Sequence, residues 1–547
     1  MNEERVAHCA LAEYPDGSVR IVPLDAAGRR AGAEEAAPGA AEAVGARPWV
    51  TRWIWRSTAS VYPAVLAAGG RVERCHDVEA AEAVLLAYEG ARGRPRSLAA
   101  ALARLTRQPE PADSPPPSPT DQPSLFDTAP APLPGDADPL AALLAVYAAQ
   151  RERIALTEHP GRMRLLLAAE SAGTLVAAEL RRAGLPWRAD IHRRLLDELL
   201  GERYPGGAEP RRLTELAEEI STAFGGARVR PDLPAEVIRA FGRAGVRVES
   251  TRAWELRRID HPAVAPLLEY KRLYRIWTAH GWSWLRTWVR DGRFRTEYVV
   301  GGTASGRWTT HGGGALQIPR VVRRAVVADP GWRLVVADAA QLEPRVLAAI
   351  SGDRGLMTVA GSPDDLYTRL ARQGFSGERD AAKLSLLGAM YGQTSGDGLR
   401  HLADLRRRFP AAVACVDDAA LAGERGESVR TWLGRTCPAE DEDGTAPSGP
   451  AARARGRFTR NFVVQGTAAE WALLMLAALR GSLRELRAEL VFFQHDEVLV
   501  HCPHEEVPEV TTAITAASSS AARLAFGETP VVFPFTTTAV ETYADAK

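Results

Sequence analysis

Leu334-Val-Val-Ala-Asp338-Ala-Ala-Gln341-Leu-Glu343-Pro-Arg345 is a short β-branched run that closes on an aspartate and passes straight into a helix-compatible segment. Such a run, too short for a helix, reads as a buried strand. A second run of the same kind, Leu490-Val-Phe-Phe-Gln494-His495-Asp496-Glu497, again leads into acid. Between them lies Arg379-Asp-Ala-Ala-Lys383-Leu-Ser-Leu-Leu387-Gly-Ala-Met-Tyr391-Gly392. Arg379, Lys383, Leu387 and Tyr391 recur every four residues, so they share one face of a helix.

Lys383 stands out against its background. The chain has 68 basic residues, of which only Lys271, Lys383 and Lys547 are lysine. Arginine stays protonated, whereas lysine can give up its proton in suitable surroundings. Two carboxylates brought from distant strands are what a pair of divalent cations needs, since hard cations take oxygen ligands. Cations on a helix face suit the oxygens of a phosphoryl group. Taken singly, an aspartate after a strand is a turn or cap residue, and Arg and Lys four apart form a solvated face. Their occurrence together, in order, points to phosphoryl or nucleotidyl transfer.

These segments resemble motifs A, B and C of the family A DNA polymerases, the DNA polymerase I type. Thr303-Ala-Ser-Gly306-Arg307 with Leu316-Gln317-Ile-Pro319 resembles the stretch before motif A, and Arg457-Phe-Thr-Arg-Asn461-Phe-Val-Val-Gln465 the stretch before motif C. The likeness covers about residues 160–545 and is nearest to an actinobacterial exonuclease/polymerase-like branch; no 5′ nuclease domain is expected. It implies an α+β multidomain fold, a right hand of palm, fingers and thumb behind a small, degenerate exonuclease-like α/β domain. It also implies two Mg²⁺ ions held by Asp338, Asp496 and the carbonyl of Ala339, with Glu497 beside them. Arg379 and Lys383 would grip the triphosphate of a dNTP, and Lys383 would donate a proton to the departing pyrophosphate. Gln341, Glu343, Leu387 and Tyr391 would complete the nucleotide site, Glu343 as the gate against a ribose hydroxyl. Arg307, Gln317, Arg457, Asn461, Gln465 and His495 would hold primer-template DNA through backbone and minor groove.

The chain departs from the family in places. Leu387 stands where an aromatic residue is usual, and Asp365-Leu366-Tyr367 where Asp-Ile-His is expected. A single-subunit RNA polymerase shares the motif types, but Glu343 favours deoxynucleotides. A noncatalytic DNA- or clamp-binding scaffold would be expected to have lost Asp338, Lys383 or Asp496, and all three are present.

Residues 1–107 carry short strand-like runs, Val19 to Pro23 and Trp53 to Trp55, and an apolar helix at Val78 to Tyr88. The Asp-x-Glu that opens a proofreading 3′–5′ exonuclease is absent. Its closing Tyr and Asp, four residues apart, become Tyr147-Ala-Ala-Gln150-Arg151, and an arginine would repel a metal ion. An inactive exonuclease-like domain is therefore expected, which weighs against the alternative of a working exonuclease. Residues 108–137 are Pro-rich and read as a linker. Within it, Gln122-Pro-Ser-Leu125-Phe126 resembles a sliding-clamp docking peptide. Residues 138–300 read as the end of that domain and the thumb, with helices Leu140 to Leu156, Met163 to Ala183, Asp190 to Leu200 and Val264 to His280. Palm and fingers would take 301–547, the fingers about 352–455, with a loop from Cys437 to Arg455.

The formal net charge is zero, so any polyanion site must come from local segregation of charge. The five cysteines, Cys9, Cys75, Cys415, Cys437 and Cys502, are odd in number and scattered, which reads as reduced thiols. No apolar leader or long apolar run is evident in the sequence, and a cytoplasmic monomer acting in replication or repair is expected.

Overall fold

In a computed structural model, the structure describes residues 8–114, 132–311, 314, 318–373, 377–392, 398–437 and 448–546. The linker peptide at Gln122, Leu125 and Phe126, and also Gln317, lie outside the described residues. The chain divides into two compact units, one of residues 1–183, 297–309 and 335–539, the other of 184–296, 310–334 and 540–547.

The first unit is built on two sheets. Five strands stand in the order Glu35–Ala37, Val19–Leu24, His8–Glu13, Arg52–Trp55, Arg74–Asp77. The first three pair antiparallel, and the last three run parallel to one another. Both faces of this sheet are covered, Cys9, Leu11, Trp53 and Trp55 on one side, Ala10, Ala12 and Ile54 on the other. Sequence reading found the second and fourth strands. It passed over His8–Glu13, whose alternating small residues carry little β signal.

The second sheet, ordered Glu489–Gln494, Glu497–Pro503, Trp332–Ala339, Phe535–Val540, carries the two acidic strand ends. Leu334, Val335, Val336 and Ala337 are buried, each larger side chain contributing roughly 1.5–3 kcal/mol on leaving water. Helix Gly449–Ser482 packs in the same core, with Trp471 stacked on Phe533 at 5.1 Å between centroids. This helix corrects the expected loop. It begins at Gly449, with Pro450 in its first turn, because Pro is suited to that position and Ala and Arg after it favour helix. It is also long and apolar enough to cross a membrane, which the sequence reading missed; 78% of its apolar window is buried inside the fold. Helix Pro160–Ala183 joins the unit together, packing on the N-terminal elements and on helix Gly449–Ser482.

The second unit is mainly helical: Ala189–Leu200, Arg211–Ala223, Pro234–Arg243, Val264–His280 and Trp282–Trp288. Its aromatic core gathers Trp187, His192, Trp284 and Phe294, with Trp187 Nε1 donating to His192 Nδ1 at 3.2 Å. Burial, foremost, pushes both His192 and His280 down to about 4, so both rings are neutral at ordinary pH.

Candidate active site

Asp338 is the next-to-last residue of strand Trp332–Ala339, and His495-Asp496 is the two-residue turn between Glu489–Gln494 and Glu497–Pro503, where Gln494 pairs with Glu497. His495 takes a left-handed φ of 58°, as a tight hairpin turn requires. The Ala339 N–H donates to the Asp496 carbonyl at 3.0 Å, so the two acidic strand ends are tied backbone to backbone. Glu497 is buried beside them.

The helix Arg379–Tyr391 forms where expected, closed by Gly392 at φ 71°. It faces a cleft of about 400 Å³ lined by Asp338, Ala339, Gln341, Glu343, Arg379, Lys383, Leu387, Tyr391, His495 and Asp496, together with Arg307. Eleven residues singled out from the sequence thus meet in one cavity. Arg457, Asn461 and Gln465 lie elsewhere, at four-residue spacing along helix Gly449–Ser482, partly open to solvent while Phe462 and Val464 between them are buried.

Glu343 is clamped from two sides. Arg307 Nη2 donates to one carboxylate oxygen and the Tyr391 hydroxyl to the other. Burial, then the Glu343 carboxylate, raises the Tyr391 phenol far above its ordinary range, so it remains a donor. His495 is shifted down, by desolvation and by the charge of Arg307.

Two features of the site were not read from the sequence. Asp365 caps helix Leu366–Arg372, accepting from Thr368 N at 2.7 Å, and also receives Arg379 Nη2 at 2.9 Å and Gln341 Nε2 at 3.1 Å. Burial works to raise the Asp365 carboxyl, but the bonds from Arg379 and Thr368 hold it below its usual value. Arg379 also lies over the Tyr367 ring, 5.7 Å from its centroid. Beneath the cleft, fully buried Arg345 donates to the carbonyls of Ala340, Ala360, Ser362, Val532 and Asp364 at 2.8 to 3.1 Å. The one available signal was an arginine inside an apolar motif.

Among the described residues no group of three or more His, Cys, Asp and Glu side chains is arranged to hold a metal ion. The donor set still fits magnesium, which is usually held by one or two carboxylates and completes its shell with water and substrate phosphates. Asp338 and Asp496 line the cleft as the two carboxylates that would be available to it, beside Ala339.

A family model described as DNA polymerase family A matches residues 239–533. The chain belongs to DNA polymerase family A. It is 32% identical over 292 residues to DNA polymerase I of Chloroflexus aurantiacus, covering 48% of this chain and 31% of that one. To the thermostable DNA polymerase I of Thermus thermophilus it is 29% identical over 310 residues, 52% of this chain and 37% of that one. The matched stretch spans about a third of these relatives. A solved structure, the POL domain of Pol1 from M. smegmatis in complex with DNA primer-template and dNTP, superposes with a TM-score of 0.72 at 19% identity, covering 98% of this chain and 95% of that one. The shared fold is the α+β polymerase fold expected from the motifs.

Proposed function

We propose that the chain is a template-directed DNA polymerase that extends a primer 3′ end with deoxynucleotides. The observation that carries this reading is the convergence on one cleft of Asp338, from a strand, and Asp496, from the turn of a hairpin in the same sheet, with Arg379 and Lys383, one helical turn apart. In the reaction the primer 3′ oxygen bonds to the α-phosphorus as the bond to pyrophosphate breaks. Mg²⁺ held by Asp338, Asp496 and the Ala339 carbonyl would supply charge stabilisation of the attacking and leaving oxygens. Arg379 exchanges its partner Asp365 for the triphosphate. Lys383, exposed on the same helix face, is placed to protonate the leaving group. Glu343, held by Arg307 and Tyr391, walls the sugar, and Leu387 sits beside it in the cleft.

Arg457, Asn461 and Gln465, with His495, would track the primer-template, while Arg307 serves the nucleotide site through Glu343. The second unit would act as the thumb. The N-terminal sheet is read as an exonuclease fold without exonuclease activity, since Arg151 stands in the sequence where a metal-binding aspartate would be needed. Gln122, Leu125 and Phe126 would dock on a sliding clamp, the apolar Leu-Phe pair entering a pocket on it.

Primer extension on a 5′-labelled primer-template with Mg²⁺, comparing wild type with Asp338→Ala, tests this. Extension that the substitution abolishes by at least a thousandfold, with no shortening when dNTPs are omitted, is the expected result. Shortening that survives the substitution would establish a nuclease instead, and the absence of both activities a scaffold.

A further inference from the structure

His8 is the Cα partner of Arg52, and Arg52 of Arg74, across three neighbouring parallel strands. Residues directly opposite one another project to the same face, with strands about 4.8 Å apart, so a row of basic side chains crosses this end of the sheet. Helix Pro139–Ala155 lies on that face, seating Leu143, Val146 and Tyr147 against Ala10, Ala12 and Ile54. It brings Arg151 as a further cation. Arg151 Nη1 donates to the Ala26 carbonyl at 3.3 Å and to the Tyr147 hydroxyl at 3.4 Å, so neutral groups aim it. Gly28, at φ +78°, lets the turn come this close, since a Cβ there would stand 2.9 Å from the Tyr147 ring and 3.3 Å from Arg151.

Like charges opposite one another in a sheet are destabilising, and little among the described residues offsets them here. Glu73 lies 3.3 Å from Arg74, with both side chains about half exposed. The Arg52 Nε is buried without a hydrogen-bond partner. The groups feel one another: burial and then the charges of Arg52, Arg74 and Arg151 push His8 down, and burial followed by Arg74 depresses Arg52. This end of the sheet therefore presents three guanidinium groups to whatever approaches it.

We infer that this end of the N-terminal sheet is a phosphate-binding site, in which Arg52, Arg74 and Arg151 converge on the oxygens of one phosphate group. Planar guanidinium forks match phosphate oxygens in pairs, and an arriving anion relieves the repulsion within the row. The phosphate comes either from the backbone of a nucleic-acid strand or as a free ion. This site belongs to the N-terminal sheet and stands independently of the chemistry at Asp338.

The test uses the full chain and two probes, inorganic phosphate in thermal denaturation and a fluorescent octathymidylate in anisotropy titrations over a range of NaCl. The variants are Arg52→Gln with Arg151→Gln, and separately Arg74→Gln, whose exposed side chain can be changed without disturbing the fold. Phosphate should raise the melting temperature of wild type and lose that effect in both variants, with primer extension unchanged. If a strand is the source, octathymidylate affinity falls about tenfold as well, and its salt slope drops by about 0.7 for each phosphate that is no longer neutralised. If the free ion is the source, only the phosphate effect disappears. Equal responses of wild type and both variants to both probes would overturn the inference.

Discussion

Replacing Tyr391 by phenylalanine removes one oxygen and keeps the ring, which makes it a clean probe of the Glu343 clamp. In the structure the phenol grips one carboxylate oxygen and Arg307 the other. A hydrogen bond to a charged group is worth roughly 1.5–3 kcal/mol. The lower end applies here, because the cleft opens to solvent and Arg307 still holds the remaining oxygen. About 1.4 kcal/mol is a factor of ten, so Glu343 should leave its clamped position about tenfold more often. The assay is single-nucleotide primer extension with matched ribo- and deoxyribonucleotides. The ratio of their kcat/KM values should move about tenfold towards the ribonucleotide, with kcat/KM for the deoxynucleotide changed less than threefold. Because Tyr391 resists ionisation, the difference should hold across neutral and mildly alkaline pH. A Glu343→Ala variant that loses discrimination while Tyr391→Phe keeps it in full would refute the clamp, leaving Glu343 positioned by Arg307 alone.

Two further outcomes concern stability. Arg345→Leu strips five carbonyls, one buried and four partly so, of their donor, and a loss of about 2–4 kcal/mol is expected; chemical denaturation measures it, and a loss under about 1 kcal/mol would mean that water replaces the guanidinium. Burial pushes the Glu470 carboxyl up to about 7 despite Arg435 and the bonds from Thr431 and the Leu433 N–H. The folded chain then binds a proton that the unfolded chain has already released, so stability should fall as pH rises from about 4.5 to about 7 and level off above. Glu470→Gln should flatten that segment of the profile in urea titrations, and an unchanged slope would show that Glu470 is ionised throughout.

The acidic strand ends and the Arg379 helix were legible because each is local: a β-branched run, a period of four, a glycine at the close. The helix Val264–His280 was bounded to the residue for the same reason. What remained hidden depends on pairs distant in the chain. Asp365 reads only as part of Asp365-Leu366-Tyr367, and nothing in its neighbourhood announces that it caps a helix or that Arg379 will come to it. Arg345 closes the quoted motif without a role until the fold surrounds it with carbonyls. The start of helix Gly449–Ser482 was obscured by glycine and proline, residues that break a helix in its middle and are tolerated in its first turn.

The order of the second sheet has a consequence for a chain emerging from the ribosome. The strand that carries Asp338 lies between Glu497–Pro503 and Phe535–Val540, both synthesised long after it. Until they arrive, its two hydrogen-bonding edges and the apolar Leu334-Val-Val-Ala337 run have no sheet to join, and such a strand readily pairs with other chains. The nascent protein must therefore shelter the strand that carries Asp338 while some two hundred residues are added. A chain interrupted before Asp496 would carry half of the carboxylate pair, and with it an exposed edge prone to aggregation.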